Sequence, residues 1–183
     1  LLNEDSTAEV FNQLPVTAFR RDRNIANHIV RASHPINPVT DPGTFSCNRS
    51  RCNTCRYVSN ETHIVGPMDT FDITSHFTCT SRNVVYAITC TNCNKLYIGE
   101  TCRRLADRIT EHLRSITKDF AGYPVARHFN PPSPCNISHF TVSVLIQASG
   151  SNKDRLHAEH RLIFKLGTMQ PRGINNRFSV FNL

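Results

Sequence analysis

The sequence has 183 residues, with 21 Lys and Arg against 14 Asp and Glu, a net charge of +7, and nine His besides. That length suits one medium domain, or a domain with a small appendage, and can bury a real core. The basic balance favours a polyanionic partner over an acidic substrate or a membrane surface. Hydrophobic residues at 39 % and charged ones at 19 % argue against wholesale disorder. No run approaches the roughly 18–20 apolar residues of a membrane span, and no cationic-then-apolar leader opens the chain. A start at Leu1 and not Met reads as a piece of a longer, intracellular polypeptide.

Residues 1–45 read as a connector. A polar stretch from Asn3 to Asn12 leads to the basic run Phe19-Arg20-Arg21-Asp22-Arg23-Asn24. A modest helical pattern follows at Ile25, Ile29 and Val30, until Pro35, Pro38 and Pro42-Gly43 break regular structure. Residues 46–82 carry the first cysteine group with little hydrophobic periodicity, so a metal is expected to hold them.

From Asn83 the character changes. Val84-Val85-Tyr86-Ala87-Ile88-Thr89 and Leu96-Tyr97-Ile98 flank the turn residues Thr91–Asn94, a hairpin expected to end at Gly99. Leu105, Ile109, Leu113 and Ile116 predict a helix over 103–116. Phe140–Ile146 alternates as a third strand. Ser151 or Asn152 caps a second helix near 153–166, which Gly167 closes. The expected architecture for 83–183 is α/β (α+β): a small, mostly antiparallel three-stranded sheet flanked by helices.

The eight cysteines are clustered. Cys52-x-x-Cys55 and Cys90-x-x-Cys93 are short pairs, with Cys47 before the first and Cys79 between them. A secreted chain would pair eight cysteines as disulfides in one of 105 ways. An intracellular one would use the two-residue spacing to point two thiolates at one ion. With no leader and a basic charge, zinc is the expectation, its first site being Cys47, Cys52, Cys55 and Cys79. Cys102 is left over as a small buried or half-buried thiol.

Val84-Val85-Tyr86, Tyr97-Ile98-Gly99, Arg108, His112, Glu159 and Pro171-Arg172-Gly173-Ile174-Asn175 occur in that order. The set resembles the GIY-YIG nuclease family, with Val84-Val85 where that family most often has Gly-Ile. A Cys-x-x-Cys nested between the tyrosine motifs, and the stretches Cys90–Thr101 and Ala126-Arg127-His128-Phe129-Asn130, are similar to the C-terminal endonuclease of Penelope-like retroelements. The second zinc site begins at Cys90 and Cys93 and takes His128 and Cys135. Those relatives use two histidines here, so Cys135 is a change of type, with His139 as its substitute.

Helical geometry adds its own reading. Arg104, Arg108 and His112 follow at i, i+4 and i+8 along one border of the first helix's apolar stripe. Side chains there root in the core and face a cleft, or merely snorkel. Glu159 falls inside the apolar arc of Leu156, Leu162, Ile163 and Leu166. A carboxylate on that face needs a cation: a structural Arg, or a divalent metal.

The resemblance implies a metal-dependent DNA endonuclease with Tyr86, Tyr97, Arg108, His112, Glu159 and Asn175 as catalytic residues. Mg²⁺ or Mn²⁺ would bind Glu159, and one tyrosine would serve as the base, its pKa lowered by Arg108. The neighbour Asn176 leaves the assignment of Asn175 open by one residue. Phosphate contacts are expected from Arg103, Arg104, Arg114, Arg155, Arg161, Lys165 and Arg172. The resemblance also implies a reverse transcriptase domain upstream in the same polypeptide, with its RNA as a further partner, and a nuclear location. The competing readings are a non-catalytic zinc-bearing nucleic-acid-binding module and a structure-specific DNA repair nuclease of the same fold.

Overall fold

The structure is a computed structural model, and it describes residues 41–118, 122–148 and 151–176. All lie in one compact unit, Val39–Leu183. The expected features of residues 1–40 lie outside the described residues.

At the centre is a three-stranded antiparallel sheet of β5 (Val84–Cys90), β6 (Leu96–Thr101) and β7 (Phe140–Gln147), ordered β6-β5-β7. Central β5 is buried at six of its seven positions, which its unbroken apolar and β-branched run requires of a strand covered on both faces. Three helices follow the hairpin: α1 (Leu105–Thr117), α2 (Pro124–His128) and α3 (Asn152–Leu166). Short α2 was not expected from the sequence, because five residues are too few to show a period. Ser151 and Asp154 form a reciprocal capping box at the start of α3, and Gly167 ends it in the left-handed conformation at φ 68°. Among the described residues no helix is long and apolar enough to cross a membrane.

Four short strands come first: β1 (Gly43–Phe45), β2 (His63–Val65), β3 (Thr70–Asp72) and β4 (His76–Thr78). β1 pairs parallel with β4, and β2 pairs antiparallel with β3. Gly43–Phe45, assigned from sequence to the connector, therefore belongs to the folded unit. Nor does the 46–82 segment stand apart from the core: Ile64, Ile73 and Phe77 join the same buried cluster as Val84, Ile98 and Leu162.

Both sheet edges are covered, which removes the pairing hazard of open strands. Along β7, the Val144 amide donates to Thr44 Oγ1 at 2.7 Å and the Ser59 amide to the Val142 carbonyl at 3.0 Å. Along β6, the Ile174 amide donates to the Leu96 carbonyl at 2.8 Å. Beside it, Asn175 Oδ1 accepts from the Ile98 amide at 2.9 Å and Nδ2 donates to the Ile98 carbonyl at 2.8 Å.

β6 does not end at Gly99 but runs on to Thr101. Gly99 pairs with Tyr86, and a Cβ there would lie 2.7 Å from the Tyr86 hydroxyl and 2.8 Å from the Tyr97 ring. The glycine is needed for the close approach of two aromatic rings, not to break the strand.

Candidate active site

β5 and β6 bring two phenols together, α1 adds a guanidinium and an imidazole, and α3 adds a carboxylate. Tyr86 is fully buried. Arg108 Nε donates to its Oη at 3.1 Å, and His112 Nε2 lies 2.8 Å from the same oxygen. Because a guanidinium only donates, the Tyr86 oxygen accepts from Arg108. Its own proton is then directed to His112 Nε2, an assignment made from the hydrogen-bond pattern. Burial, reinforced by the Arg108 charge, pushes the His112 pKa down to about 3. The imidazole is neutral at physiological pH, as an acceptor must be.

Arg108 is itself held. Its Nη1 donates to Glu111 Oε2 at 3.1 Å, and Arg103 grips the same carboxylate at 2.7 Å. The Arg103 and Arg108 hydrogen bonds hold the Glu111 pKa down at about 2. The resulting chain, Arg103–Glu111–Arg108–Tyr86–His112, was not visible in the sequence. Its signal was the i, i+3 spacing of Arg108 and Glu111.

Tyr97 is only partly covered and faces a cleft of about 300 Å³ that it shares with Arg108, His112, Arg114, Lys118 and Tyr123. Burial raises both tyrosine pKa values above the usual phenol range, and the charge of Glu159 acts on both in the same direction. Arg108 lowers them, but burial outweighs it. The expected depressed tyrosine is thus corrected: in the ligand-free site both phenols are protonated. Glu159 is 3 % exposed and close enough for its charge to reach both rings. A single hard oxygen donor of this kind, buried near two phenols and a guanidinium, fits a Mg²⁺-like ion.

Residues 82–172 match the family model of the GIY-YIG catalytic domain. That segment carries the pattern of a GIY-YIG catalytic domain. Two solved structures are similar to the chain. One is a point mutant of the catalytic domain of the intron endonuclease I-TevI, with TM-score 0.45 and 21 % identity, covering 54 % of this chain and 96 % of that one. The other is the catalytic domain of the homing endonuclease I-TevI, with TM-score 0.43 and 21 % identity, covering 51 % and 97 %. No curated protein matches the chain.

Asn175 is not among the residues that line the cleft. Its amide is consumed by the Ile98 backbone, and its Oδ1 also accepts from Thr168 Oγ1 at 2.9 Å. It fixes the strand that carries Tyr97, which corrects the expected catalytic role to a positioning one. Exposed Asn176 has no part in that clamp.

Two sets of soft donors also converge within the unit. The side-chain ligand atoms of Cys47, Cys52, Cys55 and Cys79 lie within 4.8 Å of one another, as do those of Cys90, Cys93, His128 and Cys135. Sulfur–sulfur distances are 3.6 Å for Cys47–Cys55, 3.7 Å for Cys55–Cys79 and 3.8 Å for Cys93–Cys135. A disulfide needs about 2.05 Å. A tetrahedral ion with bonds of about 2.3 Å to sulfur has ligand–ligand edges of about 3.8 Å, so each set could hold a metal ion.

Cys93 Sγ and His128 Nε2 are 3.4 Å apart. His139, the substitute ligand, is elsewhere: its Nδ1 accepts from the Asn136 amide at 3.2 Å. Without metal, burial pushes the Cys90 thiol up to about 12, whereas Cys55, despite its own burial, is brought down to about 7 by hydrogen bonds from Cys52 and Cys47. Binding an ion must therefore expel protons. Cys102 is exposed, not buried as expected.

The basic residues divide. Arg155 is 5 % exposed and ion-paired with Glu100, so it cannot meet a phosphate. Arg155 precedes Glu159 by one helical turn, and that spacing already placed it on the buried face. Arg104 is the N-cap of α1, in extended backbone, and binds Asp107 at 2.7 Å. The expected row of three thus begins at Arg108. Arg104 lines a separate cleft with Arg49 and Arg51, beside the first cysteine set. Arg103 is exposed but tied to Glu111, and Lys165 lies 3.6 Å from Asp69. Arg114, Arg161 and Arg172 are exposed.

Proposed function

We propose that the chain is a metal-dependent DNA endonuclease that hydrolyses a phosphodiester to leave a 3′ hydroxyl. The observation that carries the reading is the convergence of Tyr86, Tyr97, Arg108 and His112 on one hydrogen-bonded network beside the buried carboxylate of Glu159. A purely structural network has no need of an arginine, an imidazole and a phenol on the wall of a cleft.

The two tyrosines divide the work. Tyr97, on the cleft wall, orients the attacking water. Tyr86 is internal and fixes Arg108 and His112. The Arg108 guanidinium neutralises the phosphate as charge builds on it. With both phenols protonated and the one acceptor nitrogen of His112 taken by the Tyr86 hydroxyl, the attacking water passes its proton to solvent in the cleft. Water adds to phosphorus, the bond to the 3′ oxygen breaks so that the phosphate stays on the 5′ side, and the 3′ oxygen takes up a proton from solvent to leave as a hydroxyl. Glu159 holds Mg²⁺ or Mn²⁺, which when bound supplies Lewis-acid stabilisation of the departing oxygen. The two cysteine sets hold structural zinc, the ion that four thiolates, or three and an imidazole, select.

The wider role is nicking of target DNA to prime an upstream reverse transcriptase of the same polypeptide, in the nucleus. The resemblance of Cys90–Thr101 and Ala126–Asn130 to Penelope-like endonucleases supports it. Incubation of the chain with supercoiled plasmid and Mg²⁺ or Mn²⁺ should yield nicks that DNA polymerase extends. Tyr97→Phe should slow nicking about a hundredfold with DNA binding intact. Binding without nicking under any divalent ion would instead favour the non-catalytic module.

A further inference from the structure

The tip of the β2–β3 hairpin is seated on the end of α3. The Met68 amide donates to the Leu166 carbonyl at 3.3 Å, and a Cβ at Gly66 would lie 2.6 Å from the same oxygen. Asp69 on the tip lies 3.6 Å from Lys165, whose ammonium stands over the Phe71 ring at 5.5 Å. Contacts this close hold the tip in place, so little freedom is lost when something docks on it.

These two elements carry three of the four large apolar side chains that stand exposed among the described residues. They are Val65 at 65 %, Met68 at 59 % and Phe164 at 76 %. An open groove of about 590 Å³ is lined by Phe71, Ile146, Leu162 and Phe164, with Arg161 and Lys165 on its helical wall. Exposed apolar surface gathered in this way marks a docking site.

The two parts carry opposite charge. The hairpin has Asp69 at its tip and Asp72, which shares an outward face with Val65 by the register of β2 and β3. The helix has Arg161 and Lys165. Two acids against two bases leave this surface neutral in a chain of net charge +7. Over the rest of the chain like charge resists the approach of a second copy; here it does not. A purely acidic partner would be repelled by the hairpin, and a purely basic one by the helix. A second copy suits both halves, apolar and acidic hairpin against apolar and basic groove.

We propose that this surface is a two-fold interface between copies of the chain. The hairpin tip of one copy, with Val65 and Met68, enters the groove of the other, where Asp69 and Asp72 meet Arg161 and Lys165. Because each copy offers both halves, one two-fold rotation closes both contacts at once. Pairing of this kind does not depend on the endonuclease reading.

Sedimentation equilibrium of the whole chain, without DNA, should show monomers giving way to dimers over about 1–100 µM. Phe164→Asp should weaken association about tenfold or more with Tm unchanged, because the ring is exposed. Two charge-reversed chains sharpen the test: Asp69→Lys with Asp72→Lys, and Arg161→Glu with Lys165→Glu. Each alone should dimerise about tenfold more weakly, since like charges then face each other. An equimolar mixture should recover a one-to-one pair at the parent's concentration.

A chain that stays monomeric throughout that range overturns the proposal and leaves the surface to another partner. So does a dimer that survives Phe164→Asp, or a mixture that fails to pair. Species that grow past two with concentration overturn the two-fold form. A sharp fall in Tm for Phe164→Asp would show the groove filled by the chain's own residues, with no room for a second copy.

Discussion

The cysteine sets and the reaction centre lie within one small unit and are built on opposite principles. Each cysteine set is four ligand atoms within 4.8 Å of one another, with sulfur–sulfur distances of 3.6–3.8 Å, a spacing that could hold one ion. The reaction centre is lopsided: a carboxylate, two phenols, an imidazole and a guanidinium, with Arg108 donating on one side to Tyr86 and on the other to Glu111. The first kind of site would contribute folding free energy once an ion is bound. The second spends stability, because it buries protonated phenols and a neutral histidine where apolar side chains would pack at less cost. Substitution should therefore split the two regions cleanly, one losing structure and the other losing rate.

The largest effect belongs to the cages. Cys79 joins the 46–82 segment to the strand before it enters the sheet, and Cys79→Ser should lower Tm by upwards of about 10 °C and release metal, read by calorimetry and elemental analysis. A variant that keeps its Tm and metal would show that the segment stands on its apolar contacts alone. Next, Glu159→Gln should cut nicking about a thousandfold while Tm holds or rises, since a buried charge is removed. A matching fall in Tm would make Glu159 structural. Asn175→Ala blurs the split: the Ile98 amide and carbonyl lose their partner, at a cost of about 3 kcal/mol in denaturant unfolding, and nicking falls with it. Asn176→Ala should do neither.

Glu111→Gln is smaller. Exposed ion pairs contribute little stability, so Tm should stay put, whereas a loosened Arg108 should cost about tenfold in kcat. The least effect is expected from mild acid. With its pKa at about 3, His112 stays neutral through pH 5–7, so the rate should show no inflection near 6.5. Stability behaves otherwise. Below about 6.5 the unfolded chain protonates this histidine and the native one does not until about 3, so the His112 contribution to stability is lost as pH falls through that window.

How legible these regions were follows from the length scale of their signals. The sheet and both long helices obey local periods of two and 3.6, and the three strands and two helices appear within a few residues of where those periods put them. Glu159 was legible because a carboxylate interrupts an apolar arc. The cysteine sets were legible because soft ligands at short spacing allow few other uses. What stayed hidden was pairing between elements. Arg155 carries the formula of a phosphate contact, and only the fold reveals Glu100 across from it. Asn175 carries the formula of an active-site amide, and only the fold shows both of its ends on the Ile98 backbone. The direction of the tyrosine shift was misread for the same reason: sequence supplies Arg108 as a neighbour but not the depth at which the phenols are buried.

The crowding at Gly99 has an evolutionary reading. The space a methyl group would need there is already taken by the Tyr86 hydroxyl, so positions 86 and 99 drift as one locus. A lineage that gained a larger residue at 99 would have to shrink 86 and forfeit the phenol. Recovery would then need two reversions in a fixed order, glycine at 99 before tyrosine at 86.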